Sequence, residues 1–179
     1  MLTVGDRFPT FELPACVSLE KNGIKPISNR TFEGKWVVYF FYPKDFSFIC
    51  PTELFEFGKK NKDFAERSAV LVAGSTDNEY SHQAWRKWHP DLKDLPFPML
   101  AAGKLAGELG ILEPAERVCL RATFLVDPEG VIRWAVAYPY GVARNVSETL
   151  RVLQVLQDED PAPAAPTAVA GPSALGCCI

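Results

Sequence analysis

The chain alternates between short, dense apolar runs and longer stretches in which apolar residues recur at helical spacing. Residues 35–42 (KWVVYFFY), 69–74 (AVLVAG), 122–126 (ATFLV) and 131–137 (VIRWAVA) are rich in Val, Phe, Tyr and Trp. Runs of this make-up predict strands with at least one buried face. The last two are joined by Asp127-Pro128-Glu129-Gly130, a turn composition, and so predict a hairpin. Residues 51–67 carry Leu54, Phe55, Phe57 and Phe64 near helical spacing and open with proline, which suits a first helical position. Residues 79–88 predict a second helix. Residues 145–157 give the clearest stripe, Val146, Leu150, Leu153 and Leu156, with Asn145 and Glu148 spaced as a capping box.

Strand, helix, strand, helix, hairpin and final helix predict an α/β fold. Its mixed sheet should have parallel and antiparallel parts, with helices covering the faces. The thioredoxin fold has this order, although periodicity alone does not single it out. Residues 1–157 read as one domain with ample core-forming residues. Beyond Gln157 the text becomes DEDPAPAAPTAVAGPSALGCCI, built of Ala, Pro and Gly with a short acidic run. Such a composition buries too little apolar surface to order itself, so residues 158–179 are expected to form a mobile tail ending in Cys177 and Cys178.

Charge and targeting narrow the class. The net charge of −3 and the absence of a basic stripe give no reason to expect nucleic acid or anionic membrane as a partner. The longest apolar run, residues 36–42, is far too short to span a bilayer. The opening MLTVGDRFPTFEL has no charged segment followed by an apolar one, so a secretory signal is not expected and a cytoplasmic protein is.

The cysteines are Cys16, Cys50, Cys119, Cys177 and Cys178, an odd number with no CxxC pair. That is not a secreted disulfide framework. With only His82 and His89 beside them, ligands for zinc are few. Cys16 and Cys119 lie in apolar surroundings and read as small buried hydrophobes. His82 and His89 read as surface residues, and Trp85 and Trp88 as packing or subunit-contact residues. A C-terminal prenylation box would need cysteine where Gly176 stands.

Chemistry concentrates in FYPKDFSFICPTEL, residues 41–54, which leave a strand and enter a helix. Cys50 should therefore sit at or beside a helix N-terminus, where free backbone N–H groups and the dipole favour a thiolate. Pro43 can shield the sulfur, and Ser47 brings a hydroxyl within reach of sulfur or substrate. Pro43, Ser47 and Cys50 match the P-x-x-x-[TS]-x-x-C motif of the peroxiredoxins. The wider FYPKDFSFICPTE resembles the alkyl hydroperoxide reductase C subunit, or typical two-Cys branch, of that family. The resemblance runs from Thr3 to Gln157 and includes Ala84-Trp85, Leu95-Pro96-Phe97-Pro98, Arg121 ahead of TFLVDPEG, and Gly141-Val142-Ala143-Arg144-Asn145.

The resemblance implies a thioredoxin-like fold and a peroxidase acting on hydrogen peroxide and organic hydroperoxides. It implies that Cys50 is the attacking thiol and that Arg121 stabilises the developing charge. Ser47 would bond sulfur and substrate, Pro43 would shield the thiol, and Glu53 and Arg144 would orient Arg121. No metal, flavin or nicotinamide is implied, since electrons pass through thiols. The implied partners are a thiol protein (thioredoxin, a glutaredoxin or a dedicated reductase) and further copies of the chain, as homodimers and decamer-type rings.

One departure is plain. The typical resolving cysteine just beyond the last helix is missing, and that region reads Leu156-Gln157-Asp158-Glu159-Asp160-Pro161. Cys177 and Cys178 are the candidates instead. A flexible chain of roughly twenty residues has an r.m.s. span of about 25 Å, enough to visit Cys50 of the same or a neighbouring subunit. Two alternatives stay open: a one-Cys peroxidase reduced directly by an external thiol, and a redox sensor or holdase chaperone. A thioredoxin-like disulfide reductase is disfavoured, because Glu53 stands where its second cysteine would be.

Overall fold

The computed structural model describes residues 1–159. Its centre is β3 (Trp36–Phe41), in which every residue is buried. A strand apolar on both faces belongs inside a sheet covered on both sides, and β3 lies there. It runs parallel to β4 (Ala69–Ser75) and antiparallel to β6 (Arg121–Val126). With β1 (Glu12–Cys16), β2 (Ile24–Ser28), β5 (Met99–Ala101) and β7 (Ile132–Tyr138), these make one seven-stranded sheet of order β2-β1-β5-β4-β3-β6-β7. The expected mixed α/β, thioredoxin-like architecture is present.

The helices are α1 (Cys50–Lys59), α2 (Asn61–Glu66), α3 (Glu79–Trp88), α4 (Gly103–Glu108) and α5 (Val146–Glu159). Alternation along β3 divides the core. Val38 and Phe40 join Leu54, Phe57, Phe64, Trp85 and Leu153 from α1, α2, α3 and α5. Val37, Tyr39 and Phe41 join Phe8, Phe32, Phe124 and the α4 residues Leu105 and Ala106. No helix of the described residues is long and apolar enough to cross a membrane.

Three local outcomes differ from the sequence reading. The helix expected over 51–67 bends at Lys60, whose ψ is 3°, and so becomes α1 and α2. Lys60 N–H reaches Glu56 O and Phe64 N–H reaches Lys60 O on either side of the bend. Just before the bend, a Cβ on Gly58 would come 3.3 Å from Leu95 Cδ2, which is how closely α1 lies on the Leu95–Pro96 segment. The capping box at α5 is one-sided. Asn145 Oδ1 accepts from Ser147 and Glu148 N–H, but the Glu148 carboxylate pairs with Arg151. The helix itself continues two residues past Gln157, to Glu159. Strands β1, β2 and β5 carried too little signal to predict: β2 contains Pro26 and β5 has three residues.

The predicted β6–β7 hairpin forms. Asp127 Oδ1 accepts from Glu129 and Val131 N–H, and Gly130 supplies the left-handed turn residue at φ 82°. Beyond β7 the sheet has no further strand among the described residues, leaving an open edge.

Phe57 tests this core. It is fully buried and stacks on Phe40 at 3.9 Å between ring centroids. Phe57→Ala is expected to lower unfolding free energy by about 3–5 kcal/mol, measured by urea denaturation.

Candidate active site

Cys50 is the first residue of α1 and is followed by Pro51, which needs no hydrogen-bond partner in the first turn. The helix thus starts one residue earlier than the sequence reading placed it. The cysteine is fully buried, and its Sγ lies 3.3 Å from Arg121 Nη1. Arg121 opens β6 and is itself 1% exposed, so it belongs to the interior and not to the surface. Its Nη1 also donates to Glu53 Oε2 at 2.7 Å and its Nε donates to Tyr140 O at 2.8 Å.

Glu53, one turn along α1 from the sulfur, accepts from both arginines. Arg144 reaches it through the backbone N–H (2.8 Å), Nε (3.1 Å) and Nη2 (2.9 Å). The remaining Arg144 amine donates to Ala122 O and Thr123 Oγ1, while the guanidinium plane lies over the Phe40 and Phe57 rings. Burial alone would raise the Glu53 carboxyl, but Arg144, followed by Arg121, outweighs it and holds the group below its ordinary value. For Arg121, burial opposes the charge, yet Cys50 and Glu53 together keep the guanidinium above its ordinary value. Two guanidiniums and one carboxylate leave one positive charge beside the sulfur.

The loop before α1 is pinned from several sides. Pro43 is buried at its start. Asp45 receives hydrogen bonds from Tyr42 Oη and Ser81 Oγ, each at 2.8 Å, and sits 2.8 Å from His82 Nδ1. Asp45 N–H donates to Asp77, and Lys44 pairs with Glu116. Phe46 adopts φ 53°, a left-handed conformation that costs a bulky residue free energy unless its surroundings impose it. Ser47 is half-buried and donates its hydroxyl hydrogen to Lys44 O at 2.8 Å.

His82 corrects the sequence reading. It is fully buried, between Asp45 at Nδ1 and the Leu100 carbonyl, to which Nε2 donates at 3.0 Å. The missed signal was its place in α3: His82, Trp85 and Arg86 fall at i, i+3 and i+4 and form the buried stripe. His89 is half-buried, and its Nδ1 accepts from Asp91 N–H. Trp85 packs in the core, whereas Trp88 is exposed. Cys16 and Cys119 are buried as expected. Burial raises the Cys16 thiol despite Arg86, and pushes the Cys119 thiol up to about 12. Cys177 and Cys178 lie outside the described residues. Among those described, no group of three or more His, Cys, Asp or Glu side chains is placed to hold a metal ion.

Residues 4–135 match the family model described as the AhpC/TSA family. The chain belongs to the AhpC/TSA family. It is 44% identical to the alkyl hydroperoxide reductase C of Mycolicibacterium smegmatis over 89% of this chain and 87% of that protein. It is 36% identical to peroxiredoxin 1 of Caldanaerobacter subterraneus, over 89% of this chain and 74% of that one. The solved structure of Mycobacterium tuberculosis AhpC superposes with a TM-score of 0.83 at 40% identity, covering 90% of this chain and 97% of the other. Membership in the AhpC/TSA family makes this chain a thiol-dependent peroxidase of the peroxiredoxin kind.

The Glu53 cluster sets an acid limit on stability. Because its folded value is depressed, its contribution is fully present above the ordinary carboxyl range and is lost as pH falls through the folded value. Glu53→Gln, which leaves two buried guanidiniums without their carboxylate, should be less stable than wild type by about 3 kcal/mol near neutrality. That gap is expected to narrow below about pH 4.5, as followed by denaturation of both proteins across pH.

Proposed function

We propose that this AhpC/TSA chain reduces hydrogen peroxide and organic hydroperoxides at Cys50. The observation that carries the reading is the 3.3 Å approach of Arg121 Nη1 to Cys50 Sγ, inside a buried cluster whose charges balance when the sulfur is a thiolate. The thiolate attacks one peroxide oxygen. An S–O bond forms as the O–O bond breaks, and the departing hydroxide or alkoxide takes a proton to leave as water or alcohol. Cys50 becomes a sulfenic acid.

Arg121 presents charged N–H donors to the oxygens while charge develops on them. Ser47 can exchange its Lys44 carbonyl partner for the sulfur or a substrate oxygen, and Pro43 keeps water from the thiol. Glu53 and Arg144 act as positioning residues that fix the Arg121 fork.

Cys177 or Cys178 then attacks the sulfenic sulfur, forming a disulfide as the oxygen leaves as water. A thiol protein (thioredoxin, a glutaredoxin or a dedicated reductase) returns two electrons and two protons. Because Cys50 is fully buried, and a disulfide brings sulfurs to about 2.05 Å, the first turn of α1 opens at this step. The free edge of β7 fits pairing with a second copy, so the working form is a homodimer, in turn built into decamer-type rings. The setting is the cytoplasm, where a reducing pool regenerates the thiols.

Cys50→Ser is expected to abolish peroxide consumption while leaving the fold intact. Retained turnover in that variant overturns the reading. Resolution is tested separately by non-reducing peptide mapping after one equivalent of peroxide. A Cys50 linkage to Cys177 or Cys178 is expected, and its absence from all oxidised chains excludes tail resolution.

A further inference from the structure

At the end of the sheet opposite Cys50 lies a cavity of about 480 Å³. Its floor is Val37 and Tyr39 of β3, and the β6–β7 turn forms one wall. Phe8 and Phe32 complete an aromatic lining: Phe8 stacks on Tyr39 at 4.1 Å, and Phe32 meets the same ring edge-on. Tyr39 is 2% exposed; among the described residues the buried side-chain nitrogen or oxygen without a partner is Trp85 Nε1, so the Tyr39 hydroxyl, which no described group bonds, opens to solvent through the cavity it lines. Burial pushes its ionisation up, so the oxygen keeps its hydrogen and remains a donor.

The mouth is cationic. Arg7, Arg30 and Lys35 line it, and the Arg30 and Lys35 side chains bond to nothing among the described residues. Three acids lie there too, but Asp127 is engaged by the N–H groups of Glu129 and Val131 and by Arg133, leaving Glu33 and Glu129 against three cations. Flat apolar walls, one unpaired donor inside and excess positive charge at the entrance define a ligand chemistry. We propose that this cavity binds a small planar aromatic monoanion, a carboxylate on one or two fused rings, through Tyr39 and Arg30. The site shares no residue with the Cys50 cluster and stands independently of the peroxidase reading.

The test is calorimetric titration of the full-length reduced protein with 2-naphthoate. Saturable binding of one naphthoate per chain is expected. Tyr39→Phe preserves the ring stack while removing the donor, and should weaken binding about tenfold. Arg30→Ala, at an exposed position, should weaken it about threefold. Trp88→Ala, on the separate exposed aromatic patch beside Phe46, should leave the affinity unchanged. No saturable binding, equal affinity in Tyr39→Phe, or loss only in Trp88→Ala overturns the proposal. A far-UV circular dichroism spectrum and urea midpoint of Tyr39→Phe matching wild type confirm that the variant is folded, so any loss of binding belongs to the cavity.

Discussion

One carboxylate joins the parts of this molecule that carry its chemistry. Glu53 comes from α1, Arg121 from the start of β6 and Arg144 from the segment entering α5, and the two arginines lie 68 and 91 residues from the acid along the chain. Each guanidinium loses its hydration on burial, a cost of several kcal/mol that only good geometry and full hydrogen bonding offset. Glu53 supplies that geometry with both oxygens, and the backbone carbonyls of Ala122 and Tyr140 accept from Arg144 Nη1 and Arg121 Nε. The leftover positive charge falls on the side of Arg121 that faces Cys50. An arginine without this carboxylate would be driven toward water, and the sulfur would lose its neighbour.

The candidate site is held from two sides by different means. Arg121 and Arg144 are fixed by strand, loop and helix together. The loop carrying Pro43 and Ser47 is fixed differently, through the buried Asp45–His82 pair and the Tyr42 and Ser81 hydroxyls. Between those two anchors stand Phe46, at a strained φ, and Phe48, which is 92% exposed. Phe46 nevertheless packs against Trp85 and Trp88, and the stretch ends at the fully buried Cys50.

The sequence revealed the centre of the sheet better than its margins. The run WVVYFF reads as a strand because every residue in it is apolar or aromatic, which is the pattern of a strand covered on both faces. The edge strand β2 contains two lysine-or-proline positions, Lys25 and Pro26, and is held by pairing with β1 across the sheet, not by its own preference. The same limit applies to the site. Cys50 and Glu53 lie within one turn, so local spacing joins them, but the contact of Cys50 with Arg121 spans 71 residues and has no local signature. Only the family resemblance could nominate Arg121 and Arg144. For His82, residue type points to solvent, whereas its position on the α3 stripe with Trp85 and Arg86 points to the core.

A single strand serves both ends of the molecule. Phe40 faces the helices and supports Arg144 above it, and the chain continues from the C-terminal end of β3 into the loop that delivers Cys50. Tyr39, the adjacent residue, points to the other face and floors the aromatic cavity near the strand's opposite end. Parallel sheets place their ligand sites beyond the C-terminal ends of strands, and the candidate site at Cys50 lies beyond that end of β3. The N-terminal ends are usually closed by packing. Here Phe8 and Phe32 approach Tyr39 but leave its hydroxyl uncovered, although a larger apolar side chain at Val37 could have filled part of the space. Tyr39 therefore brings its hydroxyl to the cavity beside the Arg30 and Lys35 side chains, and a ligand with an anionic group would meet both kinds of donor there.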